Sequence, residues 1–116
     1  WLESRPEVKE VRYPFLASHD GYDTARSQMK AGGGMVSFEL RGGMEAGKKM
    51  IDNRSMMSLS ANLGDTRTII THPASSTHSK LSAGDRAAAG ISDGLIRLSV
   101  GLEHVDDILA DLEGAF

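Results

Sequence analysis

The chain has 116 residues, a formal net charge of −3, 40% hydrophobic residues, 25% charged residues and no cysteine. This length and composition predict one globular domain and exclude a disordered chain, while the missing cysteine excludes disulfides, a thiol nucleophile and cysteine metal sites. No block of lysine and arginine predicts a nucleic-acid partner, and no apolar run approaches the roughly 20 residues that span a bilayer. We therefore expect no nucleic acid or membrane partner and a reducing, cytoplasmic location.

The first half of the chain predicts two strands and two helices. Residues 8–13 form a short strand candidate, and residues 22–29 read as a short helix. Three glycines at 32–34 make a turn, because successive glycines disfavour regular structure. Residues 35–40 alternate apolar and polar side chains, which predicts a half-buried strand, and residues 44–53 carry a helical apolar side.

The second half continues this mixture with short connections. Residues 67–72 are rich in β-branched side chains and predict a strand. Ser82 with Asp85 predicts the start of a helix over 83–89, and residues 95–100 predict another strand. From residue 105 onward, apolar side chains at helical spacing predict a last helix. Together these elements predict an α+β fold with a small, mostly antiparallel sheet and helices on one face.

Arg97 is the residue most suggestive of chemistry. In the strand at 95–100, Ile96 and Leu98 share one face, whereas Arg97 lies on the opposite face between apolar neighbours. A guanidinium matches a carboxylate in bidentate fashion, so Arg97 could bind a substrate carboxylate. It could instead form an ion pair with an acidic residue or lie on an exposed sheet face, and spacing alone leaves these alternatives open.

The remaining polar residues carry weaker signals. His72 and His78 are six residues apart with no carboxylate at ligand spacing, which does not match a zinc pattern, so no metal site is predicted. Residues 60–65 and 71–78 are dense in hydroxyl and amide side chains. Such segments can line a polar pocket, but they more often form turns that satisfy their own hydrogen bonds.

Two long motifs carry a resemblance to a known family. SLSANLGDTRTIITHPASSTH at 58–78 and GLIRLSVGLE at 94–103 resemble the family of pyridoxal-phosphate (PLP) enzymes of cysteine and methionine metabolism. VRYP at 11–14, Ala25, Gln28 and GGMVSF at 33–38 fit the same family in the same order. The resemblance covers nearly the whole chain.

The resemblance implies that residues 1–116 are the C-terminal, substrate-binding domain of a fold-type I PLP enzyme. The PLP-binding domain, with the lysine that forms the Schiff base, would then lie upstream, so we expect no catalytic residue in this chain and no activity from it alone. The opening residues Trp1 and Leu2, just before Arg5 and Pro6, fit the last turn of a helix whose body is missing. For the intact enzyme the resemblance implies PLP as cofactor and a homotetramer.

The resemblance also implies roles for three residues. Arg97 would bind the α-carboxylate of the amino-acid substrate, Asn62 would stand where the family's serine helps to hold that carboxylate, and Thr77 would lie at the substrate end of the pocket. The form ANLGD at 61–65 favours the O-succinylhomoserine sulfhydrylases, transferases that make homocysteine from an O-acylhomoserine and sulfide in methionine biosynthesis. Cystathionine γ-synthase, O-acetylhomoserine sulfhydrylase and methionine γ-lyase are the alternatives within the family, and a non-enzymatic α+β domain is the alternative outside it.

Overall fold

A computed structural model describes all of residues 1–116. One five-stranded sheet forms the centre, with spatial order β1-β2-β5-β4-β3. Its strands are β1 (Val8–Arg12), β2 (Met35–Leu40), β3 (Ser58–Leu59), β4 (Ile69–Thr71) and β5 (Leu95–Ser99). The helices are α1 (Tyr22–Gln28), α2 (Gly43–Asn53), α3 (Ala83–Ala88) and α4 (Val105–Ala115), and 3₁₀ turns lie at Leu2–Ser4 and Pro73–Ser75.

The sheet is mostly antiparallel, as the sequence predicts. Three of its four strand pairs, β1–β2, β2–β5 and β4–β5, run antiparallel, and only the short pair β3–β4 is parallel. The alternation of apolar and polar residues in β2 and β5 determines which side chains lie on each face, because successive residues of a strand point to opposite sides of a sheet. Phe38, Ile96 and Leu98 are buried on one side, while Ser37 and Arg97 lie on the other.

The helices that carry the core pack on a single face of the sheet, which confirms the α+β prediction. The buried cluster joins sheet residues such as Phe38 and Ile96 to Met50 of α2 and Leu112 of α4. By contrast, α1 and α3 bury no residue. The Arg97 face is therefore the face that α2 and α4 leave uncovered. None of the helices is long and apolar enough to cross a membrane.

The strand predicted at 67–72 and the short strand β3 are both limited in length by hydrogen bonds to other parts of the chain. The strand expected at 67–72 shortens to Ile69–Thr71, because Thr66 and Thr68 hydrogen-bond instead to residues that follow β5. In the segment at 56–60, Ser58 and Leu59 form the two-residue strand β3. The beginning of this segment is occupied by hydrogen bonds from backbone N–H groups to a carboxylate of α4, Asp111.

Candidate functional site

Arg97 lies in the middle of β5 on the uncovered face of the sheet. Its neighbours in register are Ser37 on β2 and Thr71 on β4. The Arg97 side chain is half-buried, so its charge is partly removed from water and needs hydrogen-bond acceptors. The strand pattern that buries Ile96 and Leu98 is what directs Arg97 to this side.

The Arg97 guanidinium finds its acceptors in backbone carbonyl groups. Its Nη2 donates to the carbonyl oxygens of Ala61 at 2.8 Å and Asn62 at 3.1 Å, and lies 3.4 Å from the Thr71 hydroxyl oxygen. The buried Nε of Arg97 has no hydrogen-bond partner. All hydrogen bonds of the guanidinium fall on Nη2 and Nε is buried, so Nη1 is the nitrogen whose donors remain available to a ligand.

No acidic residue of the chain pairs with Arg97. Glu10 and Glu39 lie on the neighbouring row of the same sheet face, but each already has a cation as partner. Glu10 pairs with Arg12 at 2.9 Å, and Glu39 pairs with Lys9 at 3.0 Å. The interpretation of Arg97 as half of an internal ion pair is therefore not supported by the structure.

The loop that supplies the two carbonyl groups is pinned to the sheet at several points. Near its start, the Thr71 hydroxyl donates to the carbonyl oxygen of Ser60. Further along, the backbone N–H of Gly64 donates to the Ser99 hydroxyl at 2.9 Å. Ser99 belongs to β5, the same strand as Arg97, so the loop and the guanidinium share one support.

Glu103 fixes the far end of this loop. Its carboxylate accepts from the backbone N–H of Thr68 at 2.7 Å and from the Thr68 hydroxyl at 2.8 Å. The backbone N–H of Gly101 in turn donates to the Thr68 hydroxyl oxygen at 2.9 Å. These bonds, led by the one from the Thr68 backbone, hold the pKa of Glu103 below its usual range. The carboxylate is thus a charged acceptor that holds Thr68 close to the end of β5.

The structure brings together two of the three residues that the sequence singles out. Asn62 contacts Arg97, but through its backbone carbonyl, since its exposed side chain makes no hydrogen bond within the chain. Thr77 is exposed, and its hydroxyl pairs with Nδ1 of His78 at 2.8 Å rather than with Arg97. The roles of Arg97, Asn62 and Thr77 toward a substrate therefore stay predictions.

Sequence reasoning did not single out Thr71, Ser60 or Ala61, although all three belong to the environment of Arg97. Ser60, Ala61 and Thr71 fall in or beside the hydroxyl-rich segments at 60–65 and 71–78, which were the available signal. What was missing is the register that sets Thr71 beside Arg97, because strand pairing is not visible in one sequence.

The chain belongs to the family of PLP-dependent enzymes of Cys/Met metabolism, whose family model matches residues 1–116. It is 56% identical over 113 residues to an L-methionine gamma-lyase of Fusobacterium nucleatum subsp. nucleatum, covering 97% of this chain and 29% of that protein. It is 48% identical over 112 residues to an O-succinylhomoserine sulfhydrylase of Pseudomonas aeruginosa, covering 97% of this chain and 28% of that one.

A crystal structure shares this fold. It is described as an O-acetylhomoserine (thiol)-lyase of Campylobacter jejuni and contains a pyridoxyl-lysine monophosphate. Its TM-score with this chain is 0.89 at 41% identity, covering 98% of this chain and 27% of that one. The chain thus spans less than a third of the length of the relatives it matches, which are named for three different activities.

Proposed function

We propose that residues 1–116 form the C-terminal, substrate-binding domain of a PLP-dependent enzyme in which Arg97 binds the α-carboxylate of an amino-acid substrate. The observation that carries this proposal is that Arg97 is half-buried, held by backbone carbonyls through Nη2, and paired with no acid. A carboxylate is a ligand that would complete such a guanidinium, since the free Nη1 can donate charge-assisted hydrogen bonds to it.

The residues of this chain are suited to binding the substrate, but none of its lysines is suited to holding the cofactor covalently. PLP, when bound, acts as an electron sink for an amino acid attached to it, and the family resemblance places it on a lysine. Every lysine of this chain is exposed; Lys9 and Lys48 are ion-paired with glutamates, and Lys49 donates to the carbonyl oxygen of Phe116. The remainder of the intact protein would therefore supply the lysine, and the isolated chain would be inactive.

For the intact protein, the activity that we propose is that of an O-succinylhomoserine sulfhydrylase, a transferase that replaces the succinyloxy group by sulfide to give homocysteine. Two observations support it: the ANLGD form at 61–65, with Asn62 where lyases of the family usually carry serine, and the relative of that name at 48% identity. By family resemblance we further propose a homotetramer that works in methionine biosynthesis in the cytoplasm.

Methionine γ-lyase is the second candidate, because a relative with that name is 56% identical to this chain. Both activities begin with an amino acid whose α-carboxylate must be held. The two reactions differ in the γ-substituent that leaves the amino acid. They also differ in what happens next, because only the sulfhydrylase adds sulfide in its place. Arg97 as described serves either reaction equally, so it cannot discriminate between them.

An assay of the intact protein with PLP distinguishes the two activities. With O-succinylhomoserine and sulfide, the sulfhydrylase forms homocysteine. With methionine alone, the γ-lyase releases methanethiol. Homocysteine formation with no turnover of methionine would support the first proposal, and the reverse result would replace it by the second. Cystathionine formation when cysteine replaces sulfide would instead indicate a γ-synthase.

The Arg97→Ala variant of the intact enzyme tests the role of the guanidinium. Loss of charge-assisted hydrogen bonds, each contributing about 1.5–3 kcal/mol, predicts a rise in KM for the amino acid and a fall in kcat/KM of about 10-fold to more than 100-fold. Lys48→Ala is the control, because it removes a positive charge from the exposed side of α2, which packs on the opposite face of the sheet. Unchanged kinetics in Arg97→Ala would refute the proposal.

A further inference from the structure

Thr71 is buried at the point where the loop and the guanidinium meet. Only 1% of its surface is exposed, and it lies directly beside Arg97 in the register of β4 and β5. A buried hydroxyl needs hydrogen-bond partners, because leaving one unsatisfied is costly. The hydrogen-bond partners of the Thr71 hydroxyl therefore show which parts of the site this side chain holds in place.

The Thr71 hydroxyl has one partner on each side of the site. It donates its hydrogen to the carbonyl oxygen of Ser60, and its oxygen lies 3.4 Å from Nη2 of Arg97. Ser60 directly precedes Ala61 and Asn62, whose carbonyl oxygens hold that same Nη2. One hydroxyl thus connects the segment that holds the guanidinium with the guanidinium itself.

The strength of the two contacts is unequal. A distance of 3.4 Å is long for an N–H···O bond, so the direct contribution of Thr71 to Arg97 is weak. The bond to Ser60 is the stronger one, and it acts on Arg97 through the position of the loop. The supports at Gly64 and Thr68 lie beyond Asn62 in the chain, and the pairing of β3 with β4 ends at Leu59. Thr71 extends this attachment to β4 by one residue, because its side chain holds the Ser60 carbonyl directly before Ala61 and Asn62.

We infer that Thr71 is a positioning residue for Arg97: its hydroxyl fixes the loop at Ser60, so that the Ala61 and Asn62 carbonyls orient the guanidinium toward a substrate carboxylate. This inference rests on the proposed function of Arg97. It makes the binding of a carboxylate depend on a residue that does not touch the substrate.

The Thr71→Val variant tests the inference in the intact enzyme with PLP, because valine keeps the shape of threonine and removes only the hydroxyl. For the substrate that the enzyme turns over, either O-succinylhomoserine or methionine, we expect KM to rise about 3- to 10-fold, the range for one neutral hydrogen bond. Thr71→Ser, which keeps the hydroxyl, should return KM to within about twofold of the wild-type value. Thr66→Val is the matched control, an exposed threonine of the same loop.

A second comparison separates positioning from a general effect on the fold. The amine that corresponds to the substrate without its α-carboxylate should bind wild type and Thr71→Val equally well as a competitive inhibitor. Equal weakening of both ligands would overturn the inference. If Thr71→Val does not fold, Thr71→Cys, with its weak S–H donor, takes its place with the same expectations.

The double variant distinguishes failure of this inference from failure of the proposed function. If Thr71 acts through Arg97, Thr71→Val should add nothing to KM in an Arg97→Ala background, whereas independent roles would give multiplied effects. An Arg97→Ala enzyme with normal KM would refute the carboxylate-binding role itself. A raised KM in Arg97→Ala together with a normal KM in Thr71→Val would refute only the role of Thr71.

Discussion

His72 is a fully buried histidine, and both of its ring nitrogens have partners. Nδ1 lies 2.8 Å from the Ser75 hydroxyl, and Nε2 lies 2.8 Å from the carbonyl oxygen of Asp93. Because a carbonyl can only accept, Nε2 donates to Asp93, and in the neutral ring Nδ1 accepts from the Ser75 hydroxyl. The ring ties the turn after β4 to the segment before β5, so His72 has a structural role in orienting β5, which carries Arg97, against its neighbour β4.

The close packing of His72 predicts the effect of adding one methyl group to α2. A Cβ on the buried Gly47 would lie 2.3 Å from Nε2 of His72. Alanine is favoured over glycine in a helix by about 1 kcal/mol, but overpacking against a hydrogen-bonded ring costs about 1–3 kcal/mol. We therefore expect Gly47→Ala to lower the free energy of unfolding.

Urea unfolding of the chain measures this effect, and Gly114→Ala is the matched control. A Cβ on Gly114 of α4 meets no atom within 4 Å, so only the helix preference remains, and stability should rise by up to about 1 kcal/mol. Stabilisation by Gly47→Ala as large as that by Gly114→Ala would show that His72 is free to move.

Among the elements, those with strong periodicity could be predicted from the sequence, and those defined by partners could not. The alternation at 35–40 and 95–100 gave β2 and β5 with the correct faces, and therefore the side on which Arg97 lies. The two-residue β3 and the strand order required knowledge of pairing. Contacts of the site through backbone carbonyls, such as that of Asn62 with Arg97, are also invisible in a sequence because any residue type offers a carbonyl.

Asp111 shows how α4 fixes the segment that follows α2. Its carboxylate accepts from the backbone N–H groups of Ser55 at 2.7 Å, Met56 at 3.0 Å and Met57 at 2.8 Å, and also from the Ser55 hydroxyl at 2.7 Å. Burial alone would raise the pKa of Asp111, but these hydrogen bonds outweigh it and hold the pKa below its usual range. A charged side chain of one helix thereby caps the chain as it enters β3.

This depressed pKa gives Asp111→Asn a stability effect that depends on pH. The folded-state pKa lies below the unfolded value of about 3.9, so the stabilisation is present above about pH 4 and is lost as pH falls through the folded-state pKa. At pH 7 we expect Asp111→Asn to cost about 1–3 kcal/mol, because amide nitrogen cannot accept the bonds of a carboxylate oxygen.

Urea unfolding at pH 7 and at several values between pH 2 and 5 checks this expectation. The gap between wild type and Asp111→Asn should narrow as the solution is acidified. Asp107→Asn removes the same charge from an exposed position of α4 and should show a much smaller gap at pH 7. A gap for Asp111→Asn that stays constant down to pH 2 would contradict the role assigned to the carboxylate.

At the scale of the whole molecule, an apolar groove remains open beside the core. It encloses about 260 Å³ between the sheet and α4 and is lined almost entirely by hydrophobic side chains, among them Trp1, Val11, Leu98, Val105 and Leu109. Trp1 and Val105 remain 43% and 59% exposed. Apolar grooves rimmed by exposed hydrophobic residues favour association, because covering them releases water from apolar surface. Since the chain spans only 29% of a relative such as the F. nucleatum lyase, we expect other parts of an intact protein to cover this groove.

The 116-residue chain by itself should therefore self-associate despite its net charge of −3. Light scattering and sedimentation over a range of concentrations measure the average mass, which should exceed that of a monomer and rise with concentration. Val105→Glu places a charge in the groove, and Leu102→Glu places the same charge at a position that is 83% exposed and does not line it. If the groove drives association, Val105→Glu should restore the monomer and Leu102→Glu should not. If both variants reduce association equally, the association results from exposed apolar surface in general and not from the groove. A wild-type chain that stays monomeric at high concentration would refute the predicted self-association.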